Sequence, residues 1–191
     1  METEFEAKFY PAPDDIRERL EKLGAKLLHK ERLMRRILFD QRKNPHITAH
    51  YIRVRDEGDK ITMSAKIHAL EGGALSDQKE AVTEISDFDK AVEVLKNAGL
   101  VQSNYQENKR ETWELDGAEI VIDTWPGLET YVEIEAGLEE KVREIAVKLG
   151  YNWEDKRITS VMEIYMEVYS LSEEEVLKKL PKVTFEENPF I

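Results

Sequence analysis

The sequence predicts an α+β protein: about eight antiparallel strands closed into a β-barrel or tunnel, with a charged interior and helices packed outside. Three observations lead there. Short segments alternate between charged and apolar residues, tight-turn dipeptides join neighbouring segments, and amphipathic helical stretches lie between them. Successive side chains of a strand point to opposite faces, so each alternating segment has one ionic and one apolar face. Closing the sheet removes its exposed edges. The ionic faces then line the inside, where both signs of charge meet, and the apolar faces carry the helices. Such a lumen suits a polyanion together with a metal ion.

The first stretch sets the pattern. Glu4, Glu6 and Lys8 share one face, and Phe5, Ala7 and Phe9 share the other. After a turn over Tyr10 to Pro13, Asp14 to Gly24 reads as a helix with Ile16, Leu20 and Leu23 on one side. Pro13 suits the first helical position and Gly24 the stop. Ala25 to Asp40 reads as a long, bent strand carrying Arg32, Arg35 and Arg36. A helix competes there, because Leu27, Leu28, Leu33 and Met34 do not alternate strictly. Gln41 to Pro45 is a loop.

Thr48 to Arg55 and Lys60 to His68 form a hairpin around Gly58. In it Arg53 and Arg55 alternate with Ile52 and Val54, and Thr62, Ser64 and Lys66 oppose Ile61, Met63, Ala65 and Ile67. A loop over Ala69 to Gln78 leads to a strand over Lys79 to Ser86. Asp87 then caps a helix running to Ala98, with Gly99 after its end. Leu100 to Leu115 is mostly strand, and Asp116-Gly117 is a strong hairpin turn into Ala118 to Thr124. Pro126-Gly127 precedes Thr130 to Ala136, where Glu133 and Glu135 alternate with Val132 and Ile134. Leu138 to Leu149 is a helix closed by Gly150. Ile158 to Tyr169 and Ser172 to Leu180 read as short helices, the second opened by a Ser172/Glu175 capping box. Thr184 to Ile191 is a polar tail. The chain thus divides into a tunnel domain, residues 1–150, and a helical extension, residues 151–191, packed on it. Covering one mouth of the barrel and making a dimer contact are both open roles for the extension.

Composition narrows the function. With 41% hydrophobic and 36% charged residues, the chain reads as a soluble globular protein, and no apolar run reaches bilayer length. No secretory signal pattern opens it, which with the lack of cysteine makes a cytoplasmic location the default. Cysteine nucleophiles and thiolate metal sites are excluded. A net charge of -12 argues against a general nucleic-acid binder, which needs a basic surface. The four histidines do not cluster at ligand spacing and read as surface or packing residues, while Trp113, Trp125 and Trp153 read as core anchors. The expected partner is a small phosphorylated molecule, with the chain a monomer or homodimer.

These motifs resemble the CYTH family, the triphosphate tunnel metalloenzymes, which include class IV adenylate cyclases, thiamine triphosphatases and inorganic triphosphatases. The family's Glu-x-Glu-x-Lys signature is matched by Glu4, Glu6 and Lys8, and its Arg-x-Arg strand by Arg53 and Arg55. Lys66 matches the lysine closing the next strand. The acidic position that follows is Glu84, with Glu80 the competing register. Arg110 ahead of Trp113 matches a later strand, and Asp123, Gly127, Glu133 and Glu135 match the final motif. The resemblance covers Met1 to Leu149. Three positions depart from the pattern. Asn108 stands where a lysine is common, with Lys109 on the opposite face. Leu38-Phe39-Asp40 replaces a tyrosine pair before the aspartate, and Val161 follows Ser160 in place of tyrosine.

The residues support the chemistry that the resemblance implies. Lys8, Arg53, Arg55, Lys66 and Arg110 offer cations to a triphosphate, which carries about four negative charges near neutral pH. Arginine suits bidentate phosphate contacts, and lysine acts as a point charge. Glu4, Glu6, Glu133 and Glu135, with Asp123 as a further candidate, would be repelled by that ligand unless a cation intervened. Hard divalent metals favour such oxygen ligands, and the resemblance implies Mg²⁺ or Mn²⁺. Arg36, Glu80 and Glu84 are secondary candidates. The expected activity is metal-dependent hydrolysis of inorganic triphosphate or a small organic triphosphate. Class IV adenylate cyclase activity and non-catalytic triphosphate or polyphosphate binding are the alternatives, and no residue reads as a dedicated general base.

Overall fold

A computed structural model describes residues 2, 3, 5–41, 43, 46, 49–67 and 78–191. Its middle is β3 (Lys26–Asp40), a strand throughout. Register shifts between Leu27 and His29 and between His29 and Arg32 account for the broken apolar alternation. An extra residue in one strand changes which side chains face inward beyond it. Past the second shift, Arg32, Met34, Arg36 and Leu38 share the concave face.

β3 pairs with β4 (Tyr51–Asp56) on one side and β7 (Asn104–Leu115) on the other. The β4–β5 hairpin, with β5 spanning Ile61–Ile67, turns at Gly58, whose φ is +89° and whose N–H donates to the Asp56 carboxylate at 3.0 Å. In the hairpin from β7 to β8 (Ala118–Thr124), Asp116 and Gly117 have φ of +52° and +82°. That pair of left-handed residues matches the twist of the flanking strands. β6 (Lys79–Ile85) pairs with β5, and β9 (Tyr131–Ala136) with β8.

The N-terminal stretch supplies β1 (Glu2–Thr3), paired with β6, and β2 (Phe5–Phe9), paired with β9. The strand path therefore runs β1-β6-β5-β4-β3-β7-β8-β9-β2. Two strands separated in the chain by residue 4 alone stand at its opposite ends. The result is an α+β fold on a strongly curled antiparallel half-barrel. One short strand was not legible in the sequence: β10 (Lys182–Val183) runs parallel to β7.

Helices α1 (Ile16–Lys22) and α3 (Glu139–Lys148) cover one outer face. Ile16, Leu20, Val142 and Ile145 pack there against Ala7, Phe9, Ile120, Ile122, Val132 and Ile134. Each of the Val, Leu, Ile and Phe side chains, fully buried, contributes roughly 1.5–3 kcal/mol of transfer free energy. Pro13 lies outside α1, contrary to the sequence expectation: Asp15 is the N-cap, and the Pro13 carbonyl accepts the Ile16 N–H. α2 (Phe88–Asn97), capped by Asp87, packs Phe88 and Val92 on Ile37 and Val54. α4 (Val161–Tyr169) and α5 (Glu173–Lys179) bury Ile164, Tyr165 and Val176 against Trp125, Leu128 and Tyr131. Ser172 and Glu175 form the expected capping box, and Ser160 and Glu163 form a second one. Trp113, Trp125 and Trp153 are all buried in core clusters. Among the described residues no helix is long and apolar enough to cross a membrane.

Candidate active site

The concave face encloses a cavity of about 960 Å³. Strand parity decides which side chains enter it. On β2 the core takes Ala7 and Phe9, which leaves Glu6 and Lys8 inside, and the same division brings in Arg53 and Arg55 from β4 and Lys66 from β5. Arg110 and Asp123 follow from β7 and β8, and Glu133 and Glu135 from β9. Glu4 lies outside the described residues.

One side of the cavity is basic. Arg36 and Arg55 are cross-strand partners on β3 and β4, a placement that sets like charges side by side. Arg55 is 7% exposed, and its Nε has no hydrogen-bond partner. Among the described residues it makes no ion pair. Burial, reinforced by Arg53, Arg110 and Arg36, pushes its pKa down to about 9. Burial and the neighbouring Arg53 lower Arg36 to about 10. Arg36 donates to Gln106 Oε1 at 2.8 and 3.0 Å, and its guanidinium lies 4.4 Å over the Trp125 ring. Arg53, one row away, differs: Glu80 lies 2.8 Å from it and holds its pKa up against the effect of burial.

The rest of the lining is mixed and internally paired. Lys8 contacts the Glu6 carboxylate and lies 3.3 Å from Glu133. Lys66 reaches Glu6 at 3.3 Å and Glu80 at 3.6 Å. Arg110 donates to both Asp123 oxygens, at 2.8 and 2.5 Å, and to Glu133 at 2.8 Å. These carboxylates raise the Lys8 and Arg110 pKa values although burial opposes it. Tyr131, fully buried beside this group, is held well above the ordinary tyrosine pKa by burial and by Glu133 and Asp123, so its hydroxyl stays neutral.

Register also aligns acidic residues. Glu6 on β2 lies opposite Glu135 on β9, which lies opposite Glu119 on β8. Directly opposed like charges destabilise a sheet unless a cation lies between them. Among the described residues no three His, Asp or Glu side chains converge as a ready-made metal cage. The oxygen donors nevertheless fit Mg²⁺ or Mn²⁺, because Mg²⁺ is commonly held by one or two carboxylates plus the phosphates of its ligand.

Some sequence expectations move. Glu80 faces the cavity between Arg53 and Lys66, whereas Glu84, four residues on, is exposed and does not line it. Asp123 is fully buried and accepts from Arg110 and Asn108. Lys109 turns outward over Phe185, as parity requires. His29 and His50, read as surface or packing residues, line the cavity. Sequence reasoning passed over Gln106, Glu119 and Tyr131, and it read Trp125 as a core anchor only, whereas Trp125 also lines the cavity. The polar run Gln106, Asn108, Arg110, Thr112 at alternate positions was the available signal for β7.

The sequence matches the CYTH domain model over residues 2–183. The chain belongs to the CYTH domain family. Its fold is similar to that of a conserved hypothetical protein from Pyrococcus furiosus, 25% identical, with a TM-score of 0.69 over 84% of this chain and 98% of that one. A candidate adenylate cyclase from Vibrio parahaemolyticus is 15% identical, with a TM-score of 0.68 over 85% of this chain and 97% of that one. A candidate adenylyl cyclase from Hippeastrum, described as having a dominant triphosphatase activity, is 18% identical, with a TM-score of 0.54 over 91% and 99%. No curated protein matches the sequence.

The departures from the CYTH pattern now have places. Phe39 is fully buried on the outer face under α2, while Leu38 and Asp40 line the cavity, so a tyrosine at 39 would not reach it. Asn108 Nδ2 donates to Asp123 at 3.0 Å and helps fix the carboxylate that orients Arg110. Val161 follows the cap residue Ser160, and both line the cavity.

Proposed function

We propose that this CYTH domain binds a triphosphate in its cavity together with Mg²⁺ or Mn²⁺ and hydrolyses it, the substrate being inorganic triphosphate or a small organic triphosphate. The observation that carries this reading is Arg55, a buried guanidinium that makes no ion pair among the described residues and sits beside Arg36 and Arg53. A buried charge is tolerated when it is paired, and a polyanion would supply the pairing. Arg53, Arg55 and Arg110 are suited to bidentate phosphate contacts, Lys8 and Lys66 to point-charge contacts, and Arg36 joins them at the edge. Glu6, Glu133 and Glu135, with Glu4 from the N-terminal motif and Glu119 beside them, would hold the metal. When bound, the metal would neutralise phosphate charge and orient water.

The protein's own part is positioning. Phosphoryl transfer asks for in-line placement and charge stabilisation more than for covalent work by side chains. The Asp123 and Asn108 contacts hold Arg110 in place, and Tyr131 offers a neutral hydroxyl to a phosphate oxygen. We further infer that the half-barrel closes through the N-terminal stretch. β1 and β2 flank its two ends, and Gln78 donates to the Glu6 carbonyl at 3.1 Å, bridging residues that lie beside those ends.

Product analysis tests the reaction. With Mg²⁺ or Mn²⁺, orthophosphate is expected from inorganic triphosphate, ATP or thiamine triphosphate. Cyclic nucleotide and pyrophosphate from ATP, with no orthophosphate from any substrate, would replace hydrolysis with the cyclase reading. Binding of these compounds without any product would leave a non-catalytic triphosphate module.

A further inference from the structure

Two of the carboxylates proposed above as metal ligands already hold cations of the protein itself. Lys8 follows Glu6 by two residues on β2, so both point inward, and its cross-strand partner on β9 is Glu133. The Lys8 ammonium contacts the Glu6 carboxylate and lies 3.3 Å from Glu133. Lys66 on β5 also reaches Glu6, at 3.3 Å. The strand path puts β5 near one end and β2 at the other, so this contact links the two ends of the half-barrel. Glu133 accepts from Arg110 as well, at 2.8 Å. Glu6 and Glu133 are thus each held by two cationic side chains.

Burial makes these contacts hard to give up. The Lys8 and Lys66 side chains are 7% exposed and that of Glu6 is 9% exposed, so none can trade its partner for water. To take a divalent ion alone, Glu6 would have to release an ammonium, which would stay buried with its compensation reduced. Lys66 could fall back on Glu80, 3.6 Å away, but Glu80 already lies 2.8 Å from Arg53. A triphosphate changes this. Its oxygens accept charge-assisted hydrogen bonds from lysine, so Lys8 and Lys66 can turn from carboxylate to phosphate without losing a partner. The balance of charge agrees. Arg36 and Arg55 carry two charges that no carboxylate among the described residues pairs. A divalent ion adds two more, and a triphosphate supplies about four negative charges near neutral pH. Neither ligand alone reaches neutrality.

We propose that Lys8 and Lys66 stand in for the divalent ion on Glu6 and Glu133 and exchange onto the phosphates when a triphosphate binds, so that metal and triphosphate bind with positive coupling. This rests on the triphosphate reading above and adds a coupling to it. The coupling is reciprocal: whatever factor the triphosphate gives to metal affinity, the metal gives to triphosphate affinity.

The test is calorimetric titration of the full chain with Mn²⁺ alone, for the unaltered protein, Lys8→Met, Lys66→Met and, as a control, Arg36→Met. Thermal unfolding shows which variants are folded. Each lysine variant is expected to bind Mn²⁺ about tenfold more tightly than the unaltered protein, within the roughly 5–150-fold range usual for coupled sites. Arg36→Met removes a charge from the same cavity without touching Glu6 or Glu133, and it is expected to change Mn²⁺ affinity by less than about threefold. A second measurement needs no variant. The unaltered protein mixed with one equivalent of inorganic triphosphate is expected to hold Mn²⁺ more tightly than either component does alone. Mn²⁺ binding the unaltered protein as tightly as the folded lysine variants, an equal gain in Arg36→Met, or a mixture no tighter than the better of its components overturns the proposal. Failure of triphosphate to bind the unaltered protein, with or without metal, would instead remove the reading beneath it, and the Mn²⁺ titrations of the variants would still judge the two lysines.

Discussion

The two sides of the cavity are comparably buried but treat their charges differently. In the lining from β2, β5 and β7, Lys8, Lys66 and Arg110 each have carboxylates within reach, at distances up to 3.6 Å. On the side built by β3 and β4, Arg36 and Arg55 make no ion pair among the described residues, and burial lowers both pKa values. The first side is satisfied by its own side chains, so it can be stable without a ligand. The second holds charge that no carboxylate among the described residues pairs. In a folded domain such an arrangement is costly, and under the proposed function the triphosphate would offset it.

The comparison predicts opposite outcomes on the two sides. The largest effect is expected from Arg110→Met, which strands the fully buried Asp123 carboxylate. Breaking a buried pair typically costs about 3–5 kcal/mol, so chemical denaturation should show a loss of that size. An unchanged midpoint would mean that Asp123 is satisfied some other way. Next is Arg53→Ala on the basic side. Triphosphate affinity should fall by an amount on the order of 2–5 kcal/mol, read by calorimetry, with normal affinity removing Arg53 from the site. Glu135→Gln comes third. It should raise the Mg²⁺ concentration needed for activity by about tenfold, or 1.4 kcal/mol, and an unshifted metal titration would count against a ligand role.

The smallest effect lies outside the cavity and serves as a control. Glu144 on α3 bonds Lys141 and Lys148, and those bonds lower its pKa from an ordinary 4.5 to about 2. A depressed carboxylate pKa gives stability that is present above 4.5 and lost as pH falls toward 2. The thermal-stability gap between the unaltered protein and Glu144→Gln should therefore be small at neutral pH and close across that acid window. A gap that widened there would refute the assignment.

Much of the cavity lining was legible in the sequence, because period-two alternation assigns side chains to faces. It places Glu6, Lys8, Arg53, Arg55, Lys66, Glu133 and Glu135 toward one space. What it could not supply was pairing, which depends on register between strands distant in the chain. Glu80 and Glu84 share a face, and only the register of β6 against β5 sets Glu80 opposite Lys66. Asp123 was legible as an acidic candidate, but its cross-strand pairing with Arg110 was not. The bulges in β3 concealed the inward direction of Arg36, and β10 is too short to carry a periodic signal. The place of α4 beside the cavity was hidden for another reason: a helix whose apolar residues pack in a core gives no sign that some of them also line a cavity.

The most direct test of the account is Arg55→Met, measured in parallel by triphosphate calorimetry with Mg²⁺ and by thermal unfolding without ligand. Triphosphate binding should be lost or weakened by an amount on the order of 2–5 kcal/mol, while the ligand-free protein should be as stable as before or more so, because an uncompensated buried charge has gone. Unchanged triphosphate affinity, or a ligand-free protein destabilised as strongly as Arg110→Met, would contradict it.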